Sequence, residues 1–495
     1  MEEKQKIDTP DWVKNAIFYQ IFPDRFARSV ENENNFPALK FEKWHDPPTS
    51  HGYKGGNLWG VIERLDYLAS LGVTAIYFNP IFQSASNHRY HTHDYFQVDP
   101  ILGGDAAFEE LIDFSHRRGI HIVLDGVFNH AGRGFLFFND IVENGIKSPW
   151  IDWFKVKKFP LSPYDHEKPA NYECWEDMPA LPQFNHENPA VREYLISVGE
   201  HWVNKGIDGW RLDVPNCIKT EGFWQDFRTR IKKINPDVYL VGEIWGEADE
   251  WLDGSKFDGV MNYVLTWAII KFVGDENVDT DLLSRHLLPY RSIDAPVFAQ
   301  ELEDLFAKYP WEIQLTQLNL LSSHDMARFL SIVKKDDIAL ELASTIMFTL
   351  PGAPCIYYGD EIGMTGGKDP DCRRAFPSEK KEWNQSIHAH FKSLVHLRRN
   401  HLALSRGFFK TICADKKVLV FSRVYLHEKI VVALNVGDTQ EEKVVECGEL
   451  LCNSVTKGGF LVYFEKRMAR LTILDDKAHI KISLPGKSII VAGLM

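Results

Sequence analysis

The sequence predicts an α/β fold: a (β/α)8 barrel carrying an inserted subdomain after its third strand, followed by a C-terminal antiparallel β domain. Short β-branched or aromatic runs alternate with longer amphipathic stretches, the pattern of βα units around a parallel sheet. The stretch 129–186, rich in Phe, Trp, Pro, Asn and Asp, breaks that rhythm. After about Ser405 the pattern changes again, to short alternating segments separated by turn residues.

The candidate barrel strands, in order, are 16–23 (AIFYQIFP), 73–79 (VTAIYFN), 121–128 (HIVLDGVF), 206–213 (GIDGWRLD), 238–244 (VYLVGEI), 258–263 (DGVMNY), 314–322 (QLTQLNLLS) and 354–359 (PCIYYG). Eight such strands suit a closed TIM barrel. Stretches 58–71, 106–118, 189–205 and 220–234 have apolar residues three or four apart and are expected to be outer helices. Segment 129–186 is expected to be irregular, and unpatterned stretches of that length are usually binding loops or lids. Segments 418–424, 429–436 and 480–484 alternate as strands of the last domain. With 495 residues, more than the roughly 250–300 that one core organises, the chain divides as barrel 1–128 and 187–405, insertion 129–186, and C-terminal β-sandwich 406–495.

Active sites of such barrels lie at the C-terminal ends of the strands. Strand three ends in DGVFNH, strand four in GWRLDVPN, strand five in VGEIWG and strand seven in LLSSHD. Asp213, Glu243 and Asp325 would therefore meet at one mouth with His130, Arg211 and His324. A lone Asp at a strand end is more often a helix cap or turn former. Caps, however, do not call for a carboxylate, an Arg and two His on several separate strands. Converging carboxylates resist joint ionisation, so their proton affinities are pushed apart. Glycosidic cleavage uses that division: one ionised carboxylate attacks the anomeric carbon while a protonated one serves the leaving oxygen. Arg211, two residues before Asp213 on the same strand face, is expected to hold Asp213 ionised.

These segments resemble the four signature segments of the α-amylase family of glycoside hydrolases, in order and spacing, over nearly the whole chain. The resemblance implies that Asp213 is the nucleophile of a retaining mechanism, Glu243 the acid/base, and Asp325 the residue gripping sugar hydroxyls. It implies too that His130, Arg211 and His324 surround the sugar at the cut, and that Tyr90 of RYHTHDY stacks on it. GEIWGEADEWLDGSKFDGVMNY, LPQFN and GDEIGMTGGKDPDCRR are similar to the cyclomaltodextrinase, neopullulanase and maltogenic amylase branch. There, Asp369 and Arg373 would hold the sugar one unit further from the cut, and Trp245 would border the leaving-group side. Members of that branch usually carry a further β domain before the barrel, whereas here strand one begins near Ala16, as in a smaller debranching group. Gly246 and Cys217 stand where the branch often has His and Glu. The balance of α-1,4 and α-1,6 cleavage, and of hydrolysis and transglycosylation, stays open, as does a homodimer.

Other classes are excluded or weighed down. A net charge of -13 opposes polyphosphate, so no nucleic acid is expected. No apolar run reaches the ~20 residues of a membrane span. A non-catalytic relative of the kind attached to membrane transporters would need an anchor and tolerate loss of the acids, yet all three are present. Seven scattered cysteines without a CxxC pair point to a reducing cytoplasm, and MEEKQKIDTPDW lacks the character of a secretory signal; a secreted form with its signal removed is the alternative. The HRYHTHD segment superficially suggests a metal site, but in an extended chain His91 and His93 share one face and His88 the other. Where the family binds calcium, the resemblance implies a GGD segment. Here Gly55, Gly56 and Asn57 put an amide in place of its carboxylate, so no metal or cofactor is expected.

Overall fold

The computed structural model describes residues 7–29, 39–165, 169–446, 460–474 and 479–494; Cys447 and Cys452 lie outside the described residues. Eight parallel strands form the barrel: β1 (Phe18–Ile21), β2 (Ala75–Phe78), β3 (His121–Gly126), β4 (Gly209–Leu212), β5 (Tyr239–Gly242), β6 (Gly259–Val260), β7 (Leu318–Leu320) and β8 (Ala353–Tyr357). They run in the order β6-β5-β4-β3-β2-β1-β8-β7, and a parallel bridge from Met261 to Leu318 joins the two ends into a closed ring. All their residues are buried except His121 at the start of β3, which is why they read as continuous apolar runs instead of alternating ones. The seventh strand is shorter than 314–322, because Gln314 closes a short helix, Trp311–Gln314, before the ladder begins.

Outer helices sit where apolar periodicity placed them, with ends set by local backbone. The helix Leu58–Leu71 starts on Asn57, whose side chain accepts from Gly60 N at 2.8 Å, and stops at Gly72, left-handed at φ 94°. The Gly55-Gly56-Asn57 segment thus caps a helix. Gly56 also lies so close to the short helix Pro23–Phe26 that a Cβ would come within 2.3 Å of the Pro23 carbonyl oxygen. The helix expected over 220–234 begins only at Phe223, since Gly222 is left-handed at φ 79°.

Segment 129–186 is less irregular than expected. It contains a nine-residue helix, Leu136–Asn144, whose Phe138 and Ile141 are buried. Bridges His130–Gln183 and Phe154–Phe184 tie its two ends together, and Phe137 stacks on Trp150 with centroids 3.7 Å apart. Many of its aromatic residues pack on one another and join the barrel core, Phe135 and Phe184 lying against Tyr95.

The C-terminal region has a five-stranded antiparallel sheet, in the order Phe408–Asp415, Val418–Tyr425, Glu428–Asn435, Ser488–Leu494, Phe460–Lys466. A three-stranded sheet, Glu441–Glu446, His479–Leu484, Arg470–Ile473, packs on one face of it through Val418, Val420 and Val431 against Val445, Ile480 and Ile482. Leu419, Phe421, Val432 and Leu434 on the opposite face join the barrel core, so this sheet is buried on both sides. Among the described residues no helix is long and apolar enough to cross a membrane.

Candidate active site

Asp213 and Glu243 are the first residues past β4 and β5, and their backbone N–H groups extend the parallel ladder, to Gly126 O at 3.1 Å and Leu212 O at 3.0 Å. That pairing fixes both carboxylates at the C-terminal mouth. Below them Arg211, fully buried in β4, reaches three acids. Its Nη1 lies 2.9 Å from Asp213 Oδ1 and 2.9 and 3.0 Å from the two Asp125 oxygens, while Nη2 lies 2.9 Å from Glu243 Oε2. Asp125, inside the DGVFNH segment, was not singled out from the sequence. It is buried in β3 and also accepts from the Tyr77 and Tyr90 hydroxyls, at 2.8 and 2.9 Å. Its place within a strand, not at its end, hid it, although the same segment supplies His130.

Arg211 favours an ionised Asp213, but it is one of several influences on that carboxyl. Burial pushes the Asp213 carboxyl well above its ordinary range; Arg211 pulls it down, and the charges of Glu243, Asp125 and Asp325 push it up again. One guanidinium divided among three carboxylates cannot neutralise them all.

Glu243 is held from several sides. Its Oε2 accepts from Val214 N at 3.1 Å, and its Oε1 from Trp245 Nε1 at 3.0 Å. Val214 aims that N–H from a left-handed conformation, φ 34° and ψ 51°, which is costly for a β-branched residue. Trp245 lies flat on Tyr263, with centroids 4.1 Å apart and planes within 6°, and stacks on His286 at 5.1 Å. After Asp213 the chain makes only a single turn, Pro215–Cys217, so this carboxylate is not a helix cap.

Asp325 stands across the mouth. Burial opposes its ionisation, but His324 Nε2 at 3.0 Å and Arg373 Nη2 at 3.3 Å hold it well below the usual carboxylate range. The tautomer of His324 follows from its neighbours. Gln20 Nε2 donates to Nδ1 at 3.0 Å, leaving the proton on Nε2, which lies 2.6 Å from the Tyr90 hydroxyl oxygen. Tyr90 lies parallel to the His324 ring at 5.4 Å. Burial and neighbouring His91 push His130 down to about 3, so it is neutral; Asn129 Nδ2 lies 3.2 Å from its Nδ1, and its buried Nε2 has no hydrogen-bond partner in the protein.

Arg373 donates from Nε to the His324 carbonyl at 2.8 Å, and its Nη1 pairs with Asp369 at 3.0 Å. Asp369 is 52% exposed, so the pair is an open one. Both residues line a cleft of about 510 Å³ that His88, His91 and His93 also line. The sequence expectation that His88 faces away from the other two is corrected here. Arg89 is left-handed at φ 62°, so strand alternation does not hold through this turn. Burial pushes His88 well down, His91 to about 4, and His93 down as well. Among the described residues no three His, Cys, Asp or Glu side chains converge as a metal site. A second cleft, of about 440 Å³, is lined by Trp175, Glu176 and Cys217 among others. Gly246 has open space where a side chain would project.

The chain is similar to proteins of known family. Residues 20–402 match the family model for the alpha-amylase catalytic domain. The chain is 40% identical to a cyclomaltodextrinase from Bacillus sp, over 86% of this chain and 73% of that protein. It is 41% identical to neopullulanase 2 from Thermoactinomyces vulgaris, over 86% of this chain and 70% of that one. The crystal structure of a debranching enzyme from Nostoc punctiforme superposes with a TM-score of 0.90 at 48% identity, covering 99% of this chain and 100% of that one.

Proposed function

Because the chain belongs to the alpha-amylase family of glycoside hydrolases, we propose that it cleaves α-glucosidic bonds of maltodextrins, cyclomaltodextrins or pullulan with retention of configuration. One observation carries the reading: Asp213 and Glu243 each sit 2.9 Å from a different nitrogen of the same guanidinium. Two carboxyls bridged by one Arg cannot be far apart, and retaining enzymes use a separation of roughly 5–5.5 Å.

In the first step Glu243 gives a proton to the glycosidic oxygen as the ionised Asp213 attacks the anomeric carbon, forming the glycosyl ester and releasing the leaving sugar. In the second, Glu243 takes a proton from water, whose oxygen attacks the same carbon and frees Asp213. Arg211 offsets the negative charge of Asp213 and Glu243 throughout. Asp325, the unpartnered Nε2–H of His130 and the His324 ring meet sugar hydroxyls, and Tyr90 offers its face. Asp369 and Arg373 take the next unit on the non-reducing side, and Trp245 borders the leaving group. The names of the relatives support both α-1,4 and α-1,6 linkages as targets, and the five described cysteines, all free, fit a reducing cytoplasm.

The test is incubation with cyclodextrin, pullulan, starch and branched maltodextrins, with products separated by size; products longer than the substrate would mark transfer to sugar instead of water. Asp213→Asn should abolish release of reducing ends while melting like the wild type. Retention of more than about a tenth of wild-type kcat would remove Asp213 as nucleophile.

A further inference from the structure

We infer that Tyr164, held flat by Arg133, is a stacking platform for glucose units on the non-reducing side of the cut, and that it sets how strongly the enzyme favours long substrates over short ones. The inference rests on the α-glucan reading above.

Tyr164 lies in the insertion and is 60% exposed, an unusual place for a ring that is nonetheless fixed. The Arg133 guanidinium covers one face, 4.4 Å from the ring centroid. Arg133 is itself anchored at both ends. Its Nη1 donates to the Pro163 carbonyl at 2.8 Å, and its backbone N–H donates to Ala180 O at 2.9 Å. An exposed aromatic immobilised in this way, with one face covered and the other open, has already lost the conformational freedom that binding would otherwise remove.

Both residues line the cleft whose opposite wall is Asp369, Pro370 and Arg373, the loop that reaches Asp325 through Arg373. Arg373 thus joins the cleft that Tyr164 lines to Asp325. Burial disfavours charge on His88, His91 and His93 of its lining, with His91 pushed down to about 4. Neutral imidazoles that donate and accept, beside an aromatic face, suit an uncharged polyol with apolar C–H faces. At about 510 Å³ the cleft has the size of a small-ligand site and a finite reach. Nothing in the sequence marked Tyr164, since an isolated Tyr in an unpatterned stretch carries no periodic signal.

The experiment measures kcat/KM for maltoheptaose and for an aryl α-glucoside that fills only the cleavage position, in wild type, Tyr164→Ala, Tyr164→Phe and Arg133→Ala. The ratio of the long to the short substrate should fall about tenfold in Tyr164→Ala, less in Arg133→Ala, and stay within about twofold in Tyr164→Phe. An unchanged ratio in Tyr164→Ala, or a loss in Tyr164→Phe as large as in Tyr164→Ala, overturns the platform. Maltoheptaose binding to Asp213→Asn, measured by calorimetry with and without Tyr164→Ala, provides a readout that needs no turnover and should weaken about tenfold. Wild type that cleaves neither substrate refutes the α-glucan reading by itself. The binding comparison then decides the platform separately.

Discussion

Trp245→Phe removes one N–H from the site and leaves an aromatic ring in its place. In the wild type Trp245 Nε1 donates to Glu243 Oε1 at 3.0 Å, whereas Val214 N and Arg211 hold the other oxygen. Phe cannot donate, but it can still lie against Tyr263, which packs at 4.1 Å. A hydrogen bond to a charged group contributes about 1.5–3 kcal/mol, and here its role is to fix the plane of the carboxyl that must meet the glycosidic oxygen. The variant should therefore lose between about tenfold and a hundredfold in kcat/KM on a maltooligosaccharide. An aryl glucoside with an acidic leaving group needs little proton transfer in the first step, so its loss should be clearly smaller. The assay is steady-state kinetics on both substrates beside a thermal melt. Equal losses on the two, a loss under about threefold on the oligosaccharide, or a lowered melting temperature with unchanged kinetics would reduce Trp245 to a packing residue.

Asp369→Ala should cost about 1–3 kcal/mol in kcat/KM for a maltooligosaccharide and much less for an aryl glucoside, with little change in melting, because its open ion pair with Arg373 contributes only about 0–1 kcal/mol to stability. Lowered melting with unchanged kinetics would make it a loop-fixing residue. At the opposite end of the barrel, Asp208 is half-buried but accepts from His116 at 2.8 Å, His121 at 2.9 Å and Ile122 N at 2.8 Å, which brings its carboxyl down to about 2. A depressed folded pKa stabilises above the unfolded value near 4, and that contribution is lost as pH falls through about 2; it is about 2–3 kcal/mol. Asp208→Asn should melt lower at pH 6 and show a shallower fall between pH 4 and 2 than wild type, and an unaltered acid slope would contradict this.

The barrel was legible because its strands are buried on both faces, so each leaves an apolar run that needs no partner to be recognised. Boundaries were less so. The start of Phe223–Ile234 depends on a left-handed Gly222, and the start of the seventh strand depends on a helix turn at Gln314. Leu136–Asn144 is nine residues long and carries adjacent aromatics, LFF, that blur any 3.6 period; packing of Phe138 and Ile141 makes it helical. In the C-terminal region the alternating segments marked strands, but membership of one sheet or the other is set by partners far along the chain. Val418–Tyr425 is buried along most of its length since one face meets the smaller sheet and the other the barrel.

The site shows where pairwise sequence logic ends. Residues at strand ends, Asp213, Glu243, His130 and Asp325, announce themselves by position. Gln20, Tyr77 and Asp125 lie within strands, where a sequence assigns them to the core, and only closure of the barrel turns them inward onto His324 and Arg211. Val214 runs against local preference altogether: a β-branched residue at φ 34° costs on the order of 1–3 kcal/mol, and part of that is offset by the N–H it presents to Glu243. Arg211 and Asp213 are two apart in sequence, and from that spacing alone the cation belongs to Asp213. The fold brings Asp125 from β3 and Glu243 from β5 onto the same guanidinium, so the charge state of Asp213 is a property of four groups from three strands. Asp125 and Asp213 thus share one counter-charge, through the guanidinium between them.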